Sequence, residues 1–110
     1  MKIENTAAQM RKGILELCIL GILSQQEAYP SDIIDGLHEG GLKVVEGTIY
    51  PLLTRLKNAE ILGYRWEESQ SGPPRKYYHV TEKGKAFYEE LLEHWQTLRD
   101  AVEKTTNKES

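Results

Sequence analysis

The feature that most limits what this chain can fold into is an apolar run over residues 13–23, interrupted by a single charge, Glu16. At ~100° per residue its apolar positions point almost all round a helix, so a helix here must be buried on several sides and serve as the spine of the fold. The run is too short to span a bilayer, and Glu16 makes it too polar. Arg11 and Lys12 in front of it raise the question of a signal peptide, but the run passes straight into Ser24, Gln25, Gln26 and Glu27 with no small-residue cleavage pattern. The expectation is a soluble protein with no membrane partner. Its 110 residues allow one modest core. The sole cysteine, Cys18, cannot form an internal disulfide or build a cysteine-based metal site from one chain, which points to a reducing, cytoplasmic setting.

Breaks at residues 27–30, at Gly40 and Gly41, around Gly63 and at residues 69–74 divide the chain into four helical pieces and one hairpin. The first helix is predicted over roughly residues 7–25. Pro30 suits the first turn of a short second helix with Ile33, Ile34 and Leu37 on its buried side, ended by the two glycines. A third helix over about residues 47–60 carries Ile49, Leu52, Leu53, Leu56 and Ala59 on one face, with Pro51 early enough to be tolerated. Residues 61–68 and 75–80 are rich in aromatic and β-prone side chains, and the Gly-Pro-Pro stretch between them predicts a hairpin with a loop longer than a tight turn. Thr81 is placed to cap a last helix reaching about residue 104, ~34 Å long at ~1.5 Å per residue.

This order predicts a mainly α fold with a two-stranded β wing, that is, a winged helix-turn-helix over residues 1–81. A long C-terminal dimerisation helix and short polar tail, residues 82–110, complete one compact unit.

The net charge of −3 removes the simplest argument for nucleic-acid binding, so any positive surface must be local. It is local. Residues 42–59 hold Lys43, Arg55 and Lys57 against Glu46 alone, and residues 69–81 hold Arg75 and Lys76 with no acid. In a winged helix these segments face DNA. Lys43, Arg55, Lys57, Arg75 and Lys76 are therefore candidates for phosphate contact, and Thr48, Tyr50 and Thr54 for the major groove of a double-stranded operator. Scattered cations on a solvated surface are the bland alternative, and a winged-helix adaptor that docks another protein is the competing function.

On the last helix, Tyr88, Leu91, Trp95, Leu98 and Val102 recur at steps of three and four, a heptad seam. So small a domain leaves such a stripe little core of its own to cover, so a homodimer is expected, with packing back onto the first helix as the alternative. Trp95, in mid-seam, is either a dimer anchor or a stacking platform for a flat apolar ligand. Catalytic residues and cofactors are not expected. His38, His79 and His94 fall on different elements, no Gly-rich phosphate loop or nucleophile motif occurs, and the metal or acid–base pair Glu90 and His94 reads more simply as a surface pair.

Three strings resemble the PadR family of bacterial winged-helix regulators: Lys12-Gly13-x-Leu15-Glu16-Leu17-x-Ile19-Leu20-x-x-Leu23, Glu46-Gly47-Thr48-Ile49-Tyr50-Pro51-Leu52-Leu53-x-Arg55-Leu56 and Gly72-Pro73-Pro74-Arg75-Lys76-Tyr77-Tyr78-x-Val80-Thr81-Glu82-x-Gly84. The single C-terminal helix is similar to the family's short subfamily. The resemblance implies a dimeric repressor on an inverted-repeat operator, with Thr48, Tyr50 and Arg55 in the recognition-helix motif and Arg75 and Lys76 in the wing motif. Trp95 is similar in position to the tryptophan of a multidrug-sensing member, whose paired indoles sandwich planar aromatic drugs. His79 departs from the arginine common in the family, so the resemblance does not carry a phosphate contact to that position at neutral pH.

Overall fold

In the computed structural model, which describes residues 1–107, the order is α1 (Ile3–Gln25), α2 (Pro30–Glu39), α3 (Glu46–Asn58), β1 (Leu62–Ser69), β2 (Gly72–Val80) and α4 (Glu82–Thr106). This is the winged helix-turn-helix with a long last helix that the element order predicts. The polar tail at residues 108–110 lies outside the described residues.

α1 is the spine. Leu15, Leu17, Ile19, Leu20 and Leu23 are all buried although they point in different directions around it. Ile33 and Leu37 of α2 and Ile49, Leu53 and Leu56 of α3 close one core with Leu62 and Tyr78 of the hairpin. α1 begins four residues before its predicted start at about residue 7, with Glu4 in a first turn whose free N–H groups favour negative charge.

Both helices of the helix-turn-helix end in the same hydrogen-bonded motif. After α2, the Gly41 N–H donates to the His38 carbonyl and the Leu42 N–H to the Leu37 carbonyl, with Gly41 at φ +96. After α3, the Glu60 N–H donates to the Lys57 carbonyl and the Ile61 N–H to the Leu56 carbonyl, with Glu60 at φ 64. Ala59, expected in the buried stripe, is the exposed C-cap. Because α3 starts at Glu46, Pro51 lies beyond the first turn and not within it. Its ring removes the bond to the carbonyl of Gly47, which lies on the exposed side where water can replace it.

The expected long hairpin loop is replaced by a tight turn. Ser69 pairs with Gly72, leaving only Gln70 and Ser71 between the strands, and the ladder slips between Glu67 and Ser69. That irregularity sets Pro73 and Pro74 opposite Glu68. Two residues that cannot donate to a ladder thus sit where the ladder is already broken. At its other edge, β2 is pinned by Ala28 in the α1–α2 connection: the Tyr78 N–H donates to the Ala28 carbonyl at 2.8 Å and the Ala28 N–H to the Tyr78 carbonyl at 3.1 Å.

Thr81 caps α4. Its Oγ1 accepts from the Gly84 N–H at 3.0 Å and donates to the Glu60 carbonyl at 2.6 Å, tying the start of α4 to the end of α3. From there α4 runs back along α1, where Tyr88 and Leu91 pack against the core. Farther out, Leu98 is 61% exposed and Val102 58%.

Candidate nucleic-acid interface

The α2–α3 turn is held by His38, whose Nε2 lies 2.9 Å from the Val44 carbonyl and 3.2 Å from the Val44 N–H. One tautomer donates to the carbonyl and the other accepts from the N–H, so the turn is closed either way. This fixes α3 relative to α2. With Ile49, Leu53 and Leu56 buried, the opposite side of α3 presents Gly47, Pro51, Thr54 and Asn58 to solvent. Thr48 and Arg55 fall on one flank, Tyr50 and Lys57 on the other.

The first flank faces α1. Thr48 and Lys43 line a groove of about 490 Å³ together with Arg11 and Lys12 of α1. Those two cations were legible in the sequence only as the flank of an apolar run; their place beside α3 comes from the packing of α1. Arg55 turns toward α1 as well, where its Nη1 donates to Glu16 Oε1.

The second flank faces the wing. Tyr50, Trp66, Arg75 and Lys76 line a cleft of about 390 Å³ with Tyr29 at the start of α2. Arg75 lies 3.9 Å over the Tyr29 ring, and Lys76 Nζ lies 4.7 Å from the Tyr64 ring centroid. The wing cations rest on aromatic faces, and among the described residues neither forms an ion pair with a carboxylate. Lys57, at the far end of α3, stands 5.8 Å from the Tyr64 ring. Burial, with Tyr64 and Tyr50 nearby, pushes the Tyr78 hydroxyl above its ordinary value, so it stays neutral beneath the wing. His79 lies at the base of the wing with Nδ1 buried and without a hydrogen-bond partner among the described residues. Its ring covers Gly63 so closely that a Cβ there would come within 2.8 Å of it.

The eight residues expected at DNA are thus not one cluster. Lys43 and Thr48 belong to the α1 groove, Tyr50, Arg75 and Lys76 to the wing cleft, and Thr54 to the open face between. Arg55 is paired with Glu16 within the chain, and Lys57 stands at the far end of α3 near the Tyr64 ring. The sequence also gave no place to Trp66, whose alternation with Leu62 and Tyr64 along β1 was the available signal.

This fold is found in known proteins. The family model for the transcriptional regulator PadR-like family matches residues 19–90. The chain belongs to the PadR-like family of transcriptional regulators. A PadR-like transcription factor of Bacteroides fragilis is 54% identical, with 93% of this chain and 99% of that one covered at a TM-score of 0.78. A PadR-like transcriptional regulator of Bacillus cereus is 40% identical over 90% of this chain and 97% of its own, with a TM-score of 0.80. A third, a PadR family regulator of Eggerthella lenta, is 30% identical over 96% and 93%, with a TM-score of 0.82.

In this PadR-like protein the expected seam residues lie on α4 facing α1. Leu91, Trp95, Leu98 and Val102 join Ile14 and Leu17 in an apolar groove of about 390 Å³. Tyr88, at the top of the seam, has its hydroxyl directly over Gly21 of α1. Glu90 and His94 are both exposed, and among the described residues no three His, Cys, Asp or Glu side chains gather as metal ligands. No described helix is long and apolar enough to cross a membrane.

Proposed function

We propose that this PadR-like protein is a cytoplasmic repressor that binds an inverted-repeat DNA operator as a homodimer and is released by a flat aromatic ligand. The observation that carries the DNA reading is the pair of cationic flanks on an acidic chain. Lys43 with Arg11 and Lys12 lies on one side of the exposed face of α3, and Arg75 with Lys76 on the other. A duplex has the matching form, because its two phosphate backbones border the major groove. Thr48, Tyr50 and Thr54 then meet base edges and the cations meet phosphates, with Arg55 and Lys57 at the margins.

The homodimer reading rests on shape and on the uncovered seam. The Cα radius of gyration is 16.1 Å, against about 13 Å for a compact chain of this length, and the extents are 57 × 33 × 23 Å. The outer turns of α1 and α4 carry Met10, Leu98 and Val102 exposed. A second copy would cover Leu91, Trp95, Leu98 and Val102 and turn two open grooves into one lined space. Two Trp95 indoles there would form the stacking platform for the ligand.

Binding of duplex DNA from upstream of the protein's own gene, followed over a range of salt concentrations, tests the DNA face. Arg75→Ala and Lys76→Ala should each weaken binding to every sequence and lower the salt slope by about 1. An unchanged slope would take these two residues off the DNA.

A further inference from the structure

Trp66 has no part in the recognition-helix and wing motifs, yet its setting is unusual. It shares a face of β1 with Leu62 and Tyr64, the face turned toward α3, and while Leu62 is 2% exposed Trp66 is 62% exposed. Its ring meets Tyr64 edge-on at 5.8 Å, and Lys76 Nζ lies 5.6 Å from it. Across the cleft stands Tyr50 of α3, and at its edge is Arg75 on the Tyr29 ring. That ring is itself backed by Tyr77 at 4.8 Å and, beyond it, by Arg65 at 4.9 Å, which is tied to Glu27 and Glu67. The walls of the cleft are therefore braced before anything enters it. Its one carboxylate, Glu46, belongs to the first turn of α3 and complements the helix dipole there.

An exposed indole with the Lys76 ammonium beside it, and the Arg75 guanidinium on the other face of the wing at the edge of the same cleft, matches a ligand that alternates apolar and anionic groups along its length. A nucleic-acid backbone is such a ligand, with a sugar every nucleotide and a phosphate on each side of it. Bases of a duplex are stacked inside and offer no ring face to an indole, so the contact belongs to the backbone. We infer that Trp66 is a DNA-contacting residue: its indole packs against a deoxyribose of one strand, Arg75 and Lys76 take the flanking phosphates, and the indole N–H is a further donor to them. This rests on the DNA-binding reading above and adds to it a sequence-independent grip on one strand beside the recognition helix.

The test uses a duplex of arbitrary sequence at about 50 mM salt, where sequence-independent binding is strong. Binding should quench the tryptophan emission of the wild-type protein, and Trp66→Phe, which keeps only Trp95, should lose that quenching while still binding. Trp66→Ala should bind about tenfold more weakly to all duplexes, with the salt slope of the wild type. The inference is overturned by a complex that forms without quenching, or by Trp66→Ala binding as tightly as the wild type. It is equally overturned if Trp66→Ala lowers the slope as Lys76→Ala does, since the indole would then only hold the ammonium. Quenching by single strands but not by duplexes would mean stacking on unpaired bases, and that also overturns it. A wild-type protein that binds no duplex at this salt fails at an earlier point and overturns the DNA-binding reading itself.

Discussion

Gly84→Ala is expected to lower the stability of the protein by at least about 2 kcal/mol, seen as a fall of about 8 °C or more in the melting temperature. A Cβ built on Gly84 would stand 2.1 Å from the Ile61 carbonyl oxygen and 2.8 Å from Val80 Cγ1. The first of these is backbone in the corner where α3 passes into β1, so no rotamer change clears it. Alanine is the better helix former by about 1 kcal/mol, but that gain is smaller than the cost of moving α4 off its seat. Gly84 is the one buried residue of α4, and Thr81 makes its hydrogen bonds at the same corner. Any shift there is carried along the helix to the seam. Gly47→Ala is the control, since a methyl there meets nothing within 4 Å. Its melting temperature should stay level or rise, and an equal fall in both variants would show that steric closeness at Gly84 is not the cause.

The second large effect is expected at the outer seam. Changing Leu98 and Val102 together to glutamate places two carboxylates per chain on the face proposed to meet a second copy. Each would have to be buried without a partner, and the symmetry doubles the cost. The dimer dissociation constant should rise by about a hundredfold or more, measured by sedimentation over a concentration series. Both positions are exposed in the single chain, so its melting should change little at concentrations where it is monomeric. A double variant that sediments as the wild type does would remove these residues from the interface. DNA affinity should fall with dimerisation, because the two half-sites would be bound independently.

Much of the fold was legible because it depends on local pattern. The apolar run of α1, the stripe Ile49, Leu53 and Leu56, and the cap at Thr81 are each set by spacing along one helix, and all three stand in the structure. What was missed depends on partners distant in sequence. Pro73 and Pro74 read as loop because prolines break ladders, and only the pairing of Ser69 with Gly72 shows that a bulge accommodates them. Arg55 read as free because Glu16, its partner, is 39 residues away. Arg11 and Lys12 read as the edge of a hydrophobic run until the packing of α1 set them beside Thr48. Trp66 read as an ordinary strand aromatic, and its exposure beside Tyr50 follows from where α3 crosses the wing. The candidate interface was thus legible in its charges but not in its division into two flanks.

The central claim, that two copies of this chain set their α3 helices into one operator, is tested most directly by footprinting the wild-type protein on the DNA upstream of its gene. Two protected half-sites related by inverted symmetry are expected, centred about 34 Å or a multiple of it apart so that they share one side of the duplex. A single diffuse or unsymmetrical region of protection, or none at low salt, would contradict it.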